Sequence, residues 1–277
     1  MSIYIFVGMK KRVRVFLGGY INYMNAQNIN CKSIAMHLDE EIYEVKTLMF
    51  SESGYVNIPS HVKIIRVLNN RFSIFLAFLR AFFWADVAYV PKHQSTPVLA
   101  LKISKIFRTK LFTTIEGNMC DVTKRNMIDS FGGVDKMQRY FSLIPNIYGI
   151  TKFIVKHANC GVILNQNPLY LGVEKKEFLP IKKNSLRNIV FIGSLIRRKK
   201  VEELFLLAKL FPKLNFHIIG NKKYINVRRS RRKIELDDAW RNKDNDASIE
   251  VSDNINFHGK LDHEGLAKVL RRMDLLF

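Results

Sequence analysis

Residues 188–220, NIVFIGSLIRRKKVEELFLLAKLFPKLNFHIIG, hold one complete strand, helix, strand unit. Ile189 to Ile192 is a short β-branched run ending at Gly193, and Asn215 to Ile219 is a second run, ending at Gly220. Between them Val201, Leu204, Phe205 and Ala208 fall at i, i+3, i+4 and i+7, one apolar stripe of a 3.6-residue period. Two apolar strands joined by a helix with one apolar face are the makings of a parallel sheet buried under helices.

The same alternation runs outward in both directions. Upstream, strands are predicted at Val13 to Leu17, Tyr43 to Met49, Val62 to Val67, Val87 to Val90, Leu111 to Ile115 and Val162 to Leu164. Helices are predicted at Ala26 to Leu38, Phe72 to Trp84, Pro97 to Phe107 and Val134 to Ala158, the last broken near Pro145. A polar bridge, Lys182, Lys183, Asn184 and Ser185, follows Pro180 and divides the chain into residues 1–182 and 183–277. Downstream, residues 221–254 carry the basic cluster Arg228 to Lys233 and then an acidic, amide-rich stretch without apolar period, which reads as a solvated loop. No aromatic residues interleave with those arginines, as a base-stacking platform would need. The pattern resumes with Ile255 to Phe257, Gly259, an N-cap at Asp262, and a helix with Leu266, Val269, Leu270 and Met273 on one face. Asp274 to Phe277 reads as the opening of another buried strand, so the second domain is expected to be incomplete and the chain truncated.

The chain has 277 residues, 48% of them apolar, which is ample for two globular domains. Its three cysteines, Cys31, Cys120 and Cys160, form no CxxC pair and have no His at metal-ligand spacing, against a disulfide framework or a zinc site and in favour of a reducing compartment. The apolar stretch Ile3 to Val7 precedes the cations Lys10, Lys11 and Arg12, the reverse of a secretory signal. Met9 reads as an alternative start, so residues 1–8 are expected to be dispensable. The longest apolar run, Phe72 to Trp84, contains Arg80 and falls short of the ~20 residues a bilayer span needs. It reads as a buried crossover helix or as a segment lying at a membrane interface. The net charge of +21 calls for an anionic partner: nucleic acid, anionic lipid headgroups or phosphorylated small molecules.

Glycines close two strands directly, Gly18 and Gly19 after the first and Gly193 at the head of the second half. Glycine lets backbone N–H groups approach a phosphate, and a following helix N-terminus favours the negative charge. Neither site is a GxGxxG or Walker motif, which leaves dinucleotide and P-loop readings without their fingerprint. Ser194, Arg197, Arg198, Lys199 and Lys200 fill the loop after Gly193, where an open α/β sheet binds ligands and a diphosphate needs cations. Asp244 and Asp246 have the Asp-x-Asp spacing of a metal–diphosphate site, but Arg241, Asn242 and Lys243 precede them in place of an apolar strand. No Ser/His/Asp set and no HExxH assembles from the seven histidines.

These residues carry a family resemblance. Asn188 to Leu204, Leu214 to Gly220, Ile255 to Gly259 and the 262–273 helix resemble the donor half of family 4 retaining glycosyltransferases. Gly172, Val173 and Glu174, with Phe178 and Pro180, are similar to the segment joining their two domains. The resemblance implies an α/β fold of two Rossmann-like domains (GT-B) facing across a cleft, the first taking an acceptor and the second a nucleotide sugar. It implies that Gly193, Ser194, Arg197, Arg198 and Lys199 bind the donor, Lys199 at its diphosphate, and that Gly18 and Gly19 lie beside the donor phosphates. The family's arginine directly after the glycine is here Ser194, with Arg197 or Arg198 as substitutes. Where relatives place an active-site histidine this chain has Glu116, within Thr114 to Asn118, and His93 is the alternative polar group. The family's two glutamates, eight positions apart, would fall beyond Phe277.

The expectation is a retaining transfer from a nucleotide sugar to a saccharide or lipid-linked acceptor in bacterial surface polysaccharide synthesis. It would proceed without a metal or other cofactor, in the cytoplasm or peripherally at the inner face of the membrane. The rival reading is an inactive, truncated Rossmann-like module that holds anionic lipid or RNA on its basic face.

Overall fold

In the computed structural model, residues 12–23, 25–51, 58–119, 127–157, 160–172, 185–193, 199–220, 225–228, 231–235 and 248–277 are described. Residues 1–8, the domain joint placed at 182/183, and Asp244 and Asp246 lie outside them. The chain divides into two compact units, Met1–Gly172 and Val173–Phe277.

The first unit opens with β1 (Val13–Tyr20), α1 (Ala26–His37), β2 (Tyr43–Phe50), β3 (Val62–Val67), α2 (Arg71–Trp84) and β4 (Val87–Tyr89). It continues with α3 (Val98–Ser104), β5 (Lys110–Ile115), α4 (Met127–Phe131), α5 (Val134–Phe141), β6 (Asn146–Gly149) and α6 (Lys152–His157). The six strands are parallel in the order β3-β2-β1-β4-β5-β6. This is the doubly wound Rossmann order, whose direction of winding reverses between β1 and β4.

Alternate residues of β1 serve opposite faces, which is why the strand is a nearly continuous apolar run. Phe16 and Tyr20 join one core with Ala77, Phe78, Ala81 and Phe82 of α2, and Phe16 meets the Phe78 ring edge-on at 5.5 Å. Val15 and Leu17 join a second core with Cys31 and Ala35 of α1. Asn25 and Asn70 cap α1 and α2 by accepting from the N–H of Asn28 and Ser73.

Two expectations fail here. The stretch predicted as a helix over 134–158 does break near Pro145, but the break holds a strand, β6, between α5 and α6, because Asn146 pairs with Phe112 on β5. Val162 to Leu164 is not a strand, and the sixth position belongs to β6. The segment after it hydrogen-bonds to β6 through Asn165 N–H to Ile147 O at 2.7 Å and Leu169 N–H to Gly149 O at 2.9 Å.

The second unit contains β7 (Asn188–Ile192), α7 (Val201–Leu210), β8 (Asn215–Ile219), β9 (Ile225–Arg228), β10 (Arg231–Glu235) and β11 (Ser248–Glu250). β12 (Ile255–Gly259), α8 (His263–Leu270) and β13 (Leu275–Leu276) complete it. Its parallel sheet runs β12-β8-β7-β13, so the winding again reverses beside the unit's first strand. Val201, Leu204, Phe205 and Ala208 of α7 are all buried against Ile189, Phe191, Phe216 and Ile218, the stripe that the spacing predicts.

Asp262 caps α8 through Gly265 N–H at 2.8 Å. Asp274 accepts from the N–H groups of Arg187 and Asn188, which ties β13 to β7. β13 is nonetheless exposed at Leu275 and Leu276, unlike the buried strand expected there. Residues 221–254 are not a plain loop, since β9, β10 and β11 form an antiparallel sheet of their own.

The two faces of α2 make a direct test of this architecture. Phe82→Ala empties a fully buried site and should cost about 3–5 kcal/mol, whereas Phe72→Ala at an exposed site should stay within about 0.5 kcal/mol. Urea unfolding of both variants measures the difference.

Candidate functional site

An open parallel sheet binds ligands outside its carboxyl ends, where the winding reverses. In the first unit that place is the gap between the ends of β1 and β4. β1 arrives there as Gly18, Gly19 and Tyr20, and the loops after β4 and β5 bring Lys92, His93 and Glu116. A shallow depression lined by Arg12, Val13, Asp86, Val87 and Lys110 lies at the amino ends of the same strands, the wrong end for this role.

The two glycines are first of all packing residues. A Cβ on Gly18 would sit 3.1 Å from the carbonyl oxygen of Tyr89, and one on Gly19 only 2.7 Å from Cys31 Sγ. α1 therefore lies almost directly on β1. Asn28, buried at its first turn, accepts from Tyr20 N–H at 2.9 Å and donates to Tyr23 O at 2.8 Å, so the turn between β1 and α1 is satisfied from within.

The same approach gathers the ionisable groups. Asn30 Nδ2 donates to Glu116 Oε1 at 3.3 Å. Burial raises the Glu116 pKa above the ordinary carboxylate value, and the bond from Asn30 opposes that rise. Lys92, a residue the sequence reasoning passed over, points its ammonium at the rings of Tyr20 and Tyr23, 5.1 and 5.7 Å from their centroids. Burial lowers the Lys92 pKa, and no carboxylate pairs with it among the described residues. Cys31 feels both groups, and burial pushes its thiol up to about 12. The only signal for Lys92 in the sequence was its place just after β4; that β4 lies beside β1 became visible with the sheet order.

His93 and Glu116, the two candidates for a polar catalytic group, fall in different surroundings. His93 is 6% exposed and meets Phe141 edge-on at 4.9 Å. Thr113 Oγ1 donates to Val90 O at 2.8 Å, so it accepts from His93 Nε2 at 2.7 Å. The proton is thereby assigned to Nε2 of a neutral ring, in keeping with burial that lowers the pKa from 6.5 to about 4. Glu116 is half-buried at the strand ends, while His93 belongs to the core beneath them.

In the second unit the corresponding place is the end of β7. Gly193 has φ of 154°, and a Cβ there would lie 2.9 Å from Lys199 Nζ. The Lys199 side chain thus folds back over the glycine that ends the strand. Lys200 starts α7 from a left-handed conformation and pairs with Glu203 at 3.1 Å. Lys199 has no carboxylate partner among the described residues, and Ser194, Arg197 and Arg198 lie outside them. No group of three or more His, Cys, Asp or Glu side chains gathers as a metal site among the described residues. Cys160 is disulfide-bonded, which departs from the expectation of isolated thiols, because spacing along a chain sets no distance after folding.

No protein-family model matches the chain, and no curated protein matches it. Among solved structures it is similar to a UDP-N-acetylglucosamine 2-epimerase, at 8% identity and a TM-score of 0.52 over 96% of this chain and 74% of that one. UGT89C1 of Arabidopsis thaliana, complexed with UDP, aligns at 10% identity and a TM-score of 0.48 over 95% of this chain and 79% of that one. The first of these likenesses concerns the fold, and the α/β fold of two Rossmann-like units is of the GT-B type.

Two outcomes are expected. Gly19→Ala forces Cβ into Cys31 and should lower stability by about 1–3 kcal/mol in urea unfolding. His93 is harder to protonate when folded, so the unfolded chain binds more protons between pH 6.5 and about 4, and stability falls as pH drops through that window. The full loss is on the order of 3 kcal/mol. His93→Gln, which keeps a donor for Thr113, should flatten this part of the curve when unfolding midpoints are compared across that range.

Proposed function

We propose that this chain is a family 4 glycosyltransferase that moves a sugar, with retention, from a nucleotide sugar to a saccharide or lipid-linked acceptor. The observation that carries the reading is Lys199, folded over Gly193 at the end of β7 with its ammonium unpaired among the described residues. A cation at that point meets the diphosphate of a nucleotide held at the winding reversal of a Rossmann-like sheet.

As the sugar–phosphate bond breaks, negative charge grows on the departing diphosphate. A cation already in place stabilises that charge without reorganisation, so the step needs no metal. Arg197, Arg198 and Ser194 assist Lys199 at the same oxygens. In the first unit Glu116, with its raised pKa and its bond to Asn30, accepts a hydrogen bond from the acceptor hydroxyl. His93 supports this floor from the core. The similar fold of an enzyme named for a UDP sugar is in keeping with the reading. We place the reaction in the cytoplasm, at the inner face of a bacterial membrane, in surface polysaccharide synthesis.

A thermal-shift panel of UDP, GDP and their sugars tests the proposal, with tRNA and anionic vesicles as controls. One nucleotide series at about a hundredfold excess over Kd should add about 2.7 kcal/mol of stability, and Lys199→Ala should remove the response. A nucleotide response that Lys199→Ala leaves intact would refute the site assignment. A response to tRNA or vesicles alone would establish the rival, an inactive module binding anions.

A further inference from the structure

α2 is apolar on two opposite faces. Its inner stripe, Ala77, Phe78, Ala81 and Phe82, is buried in the first unit's core. Its outer stripe, Phe72, Leu76, Leu79 and Phe83, recurs at i, i+4, i+7 and i+11, and its two ends, Phe72 and Phe83, are 71% and 73% exposed. A helix that is apolar all round is one that is covered all round.

The neighbouring helix continues the surface. α3 packs beside α2, and Phe107 beyond it meets Phe83 edge-on at 5.4 Å. The next side chain, Ile106, is 77% exposed. Isolated apolar side chains on a surface are ordinary, but a run of them along two packed helices marks an interaction face.

Charge identifies the partner. Residues 66–110 contain eight Lys and Arg residues and one acid, Asp86. Asp86 is paired with Arg14 at 2.8 Å. Arg71, Arg80, Lys102, Lys105 and Arg108 are all exposed and lie on or beside the two helices that carry the exposed phenylalanines. Phenylalanine has no hydrogen-bonding group, so its burial is favoured in a hydrocarbon boundary, while cations on long stems reach the headgroups above. α2 has 14 residues and lies along such a boundary rather than through it; no described helix is long and apolar enough to cross a membrane.

We infer that the outer face of α2 and α3 docks on an anionic lipid bilayer, with Phe72, Phe83 and Ile106 inserted and the flanking Arg and Lys residues on the headgroups.

Cosedimentation with phosphatidylcholine vesicles, with and without phosphatidylglycerol, tests the inference on the whole chain. The wild type should bind the anionic vesicles and release them as salt rises. Phe72→Ser with Phe83→Ser, and separately Arg80→Glu with Lys102→Glu, should each weaken binding at least about tenfold while the unfolding midpoint holds. Should the serine pair shift that midpoint, the charge-reversal pair decides alone, since both of its side chains are exposed. Absence of binding, equal binding to neutral vesicles, or binding unchanged in the charge-reversal pair would each overturn the inference. So would a dimer in light scattering that the serine pair dissolves, or tRNA binding that the charge-reversal pair abolishes, without vesicle binding in either case. No nucleotide enters this assay, so its result is independent of the nucleotide-sugar reading.

Discussion

Much of the first unit depends on how closely α1 lies against β1. With no side chain at Gly19, Cys31 seats its sulfur where a Cβ would otherwise be. That contact sets the height of α1 over the sheet, and hence the position of Asn28 on Tyr20 N–H and of Asn30 on Glu116. A polar cluster at the strand ends thus follows from one apolar contact. Gly18 applies the same constraint on the opposite face, against Phe78 of α2 and the carbonyl of Tyr89. β1 is held from both sides, and a wider residue at either glycine would move a helix that carries the site or the core.

The unusual electrostatics have the same origin. Burial lowers Lys92, raises Glu116 and keeps His93 neutral, and in each case loss of water is the largest cause, ahead of any charged neighbour. The Lys92 ammonium is directed at two tyrosine rings, and no carboxylate pairs with it among the described residues. The second unit differs, since Lys199 is exposed and its ammonium lies over Gly193. A +21 chain has many lysines, and what distinguishes these two is that each is held at the end of a first strand.

Where a segment's structure is set by its own period, the sequence was a sufficient guide. β3 and β8 have the predicted bounds, α7 buries the predicted stripe, and the capping aspartate of α8 is the one expected. Errors arose where a distant partner decides. Asn146 to Gly149 is too short to declare itself between two helical stretches, and is a strand because β5 offers it an edge. β9 and β10 have basic sequences with little apolar pattern, and exist as strands by pairing with one another and with β11. That Lys199 lies near Gly193 was readable because they are six residues apart, whereas Lys92 meets Tyr20 through the order of the sheet. The burial of His93 was hidden for the same reason: its polarity was visible in the sequence, its depth under the strand ends was not.

The long apolar run of α2 drew two incompatible readings from sequence, a buried crossover helix and a segment at a membrane interface. In the structure the helix has two apolar faces, one buried in the core and one exposed, so the two readings do not compete for the same residues. A crossover helix over a parallel sheet needs one apolar stripe, which Ala77, Phe78, Ala81 and Phe82 supply. Nothing in the sheet requires phenylalanine at 72 and 83 as well, and exposed positions on a helix are ordinarily filled by polar residues. The surplus is confined to the outer side, is shared with the neighbouring α3, and is bordered by cations with no free acid among them. Folding explains the inner stripe completely, so the outer one has to be explained by something the helix meets after it has folded.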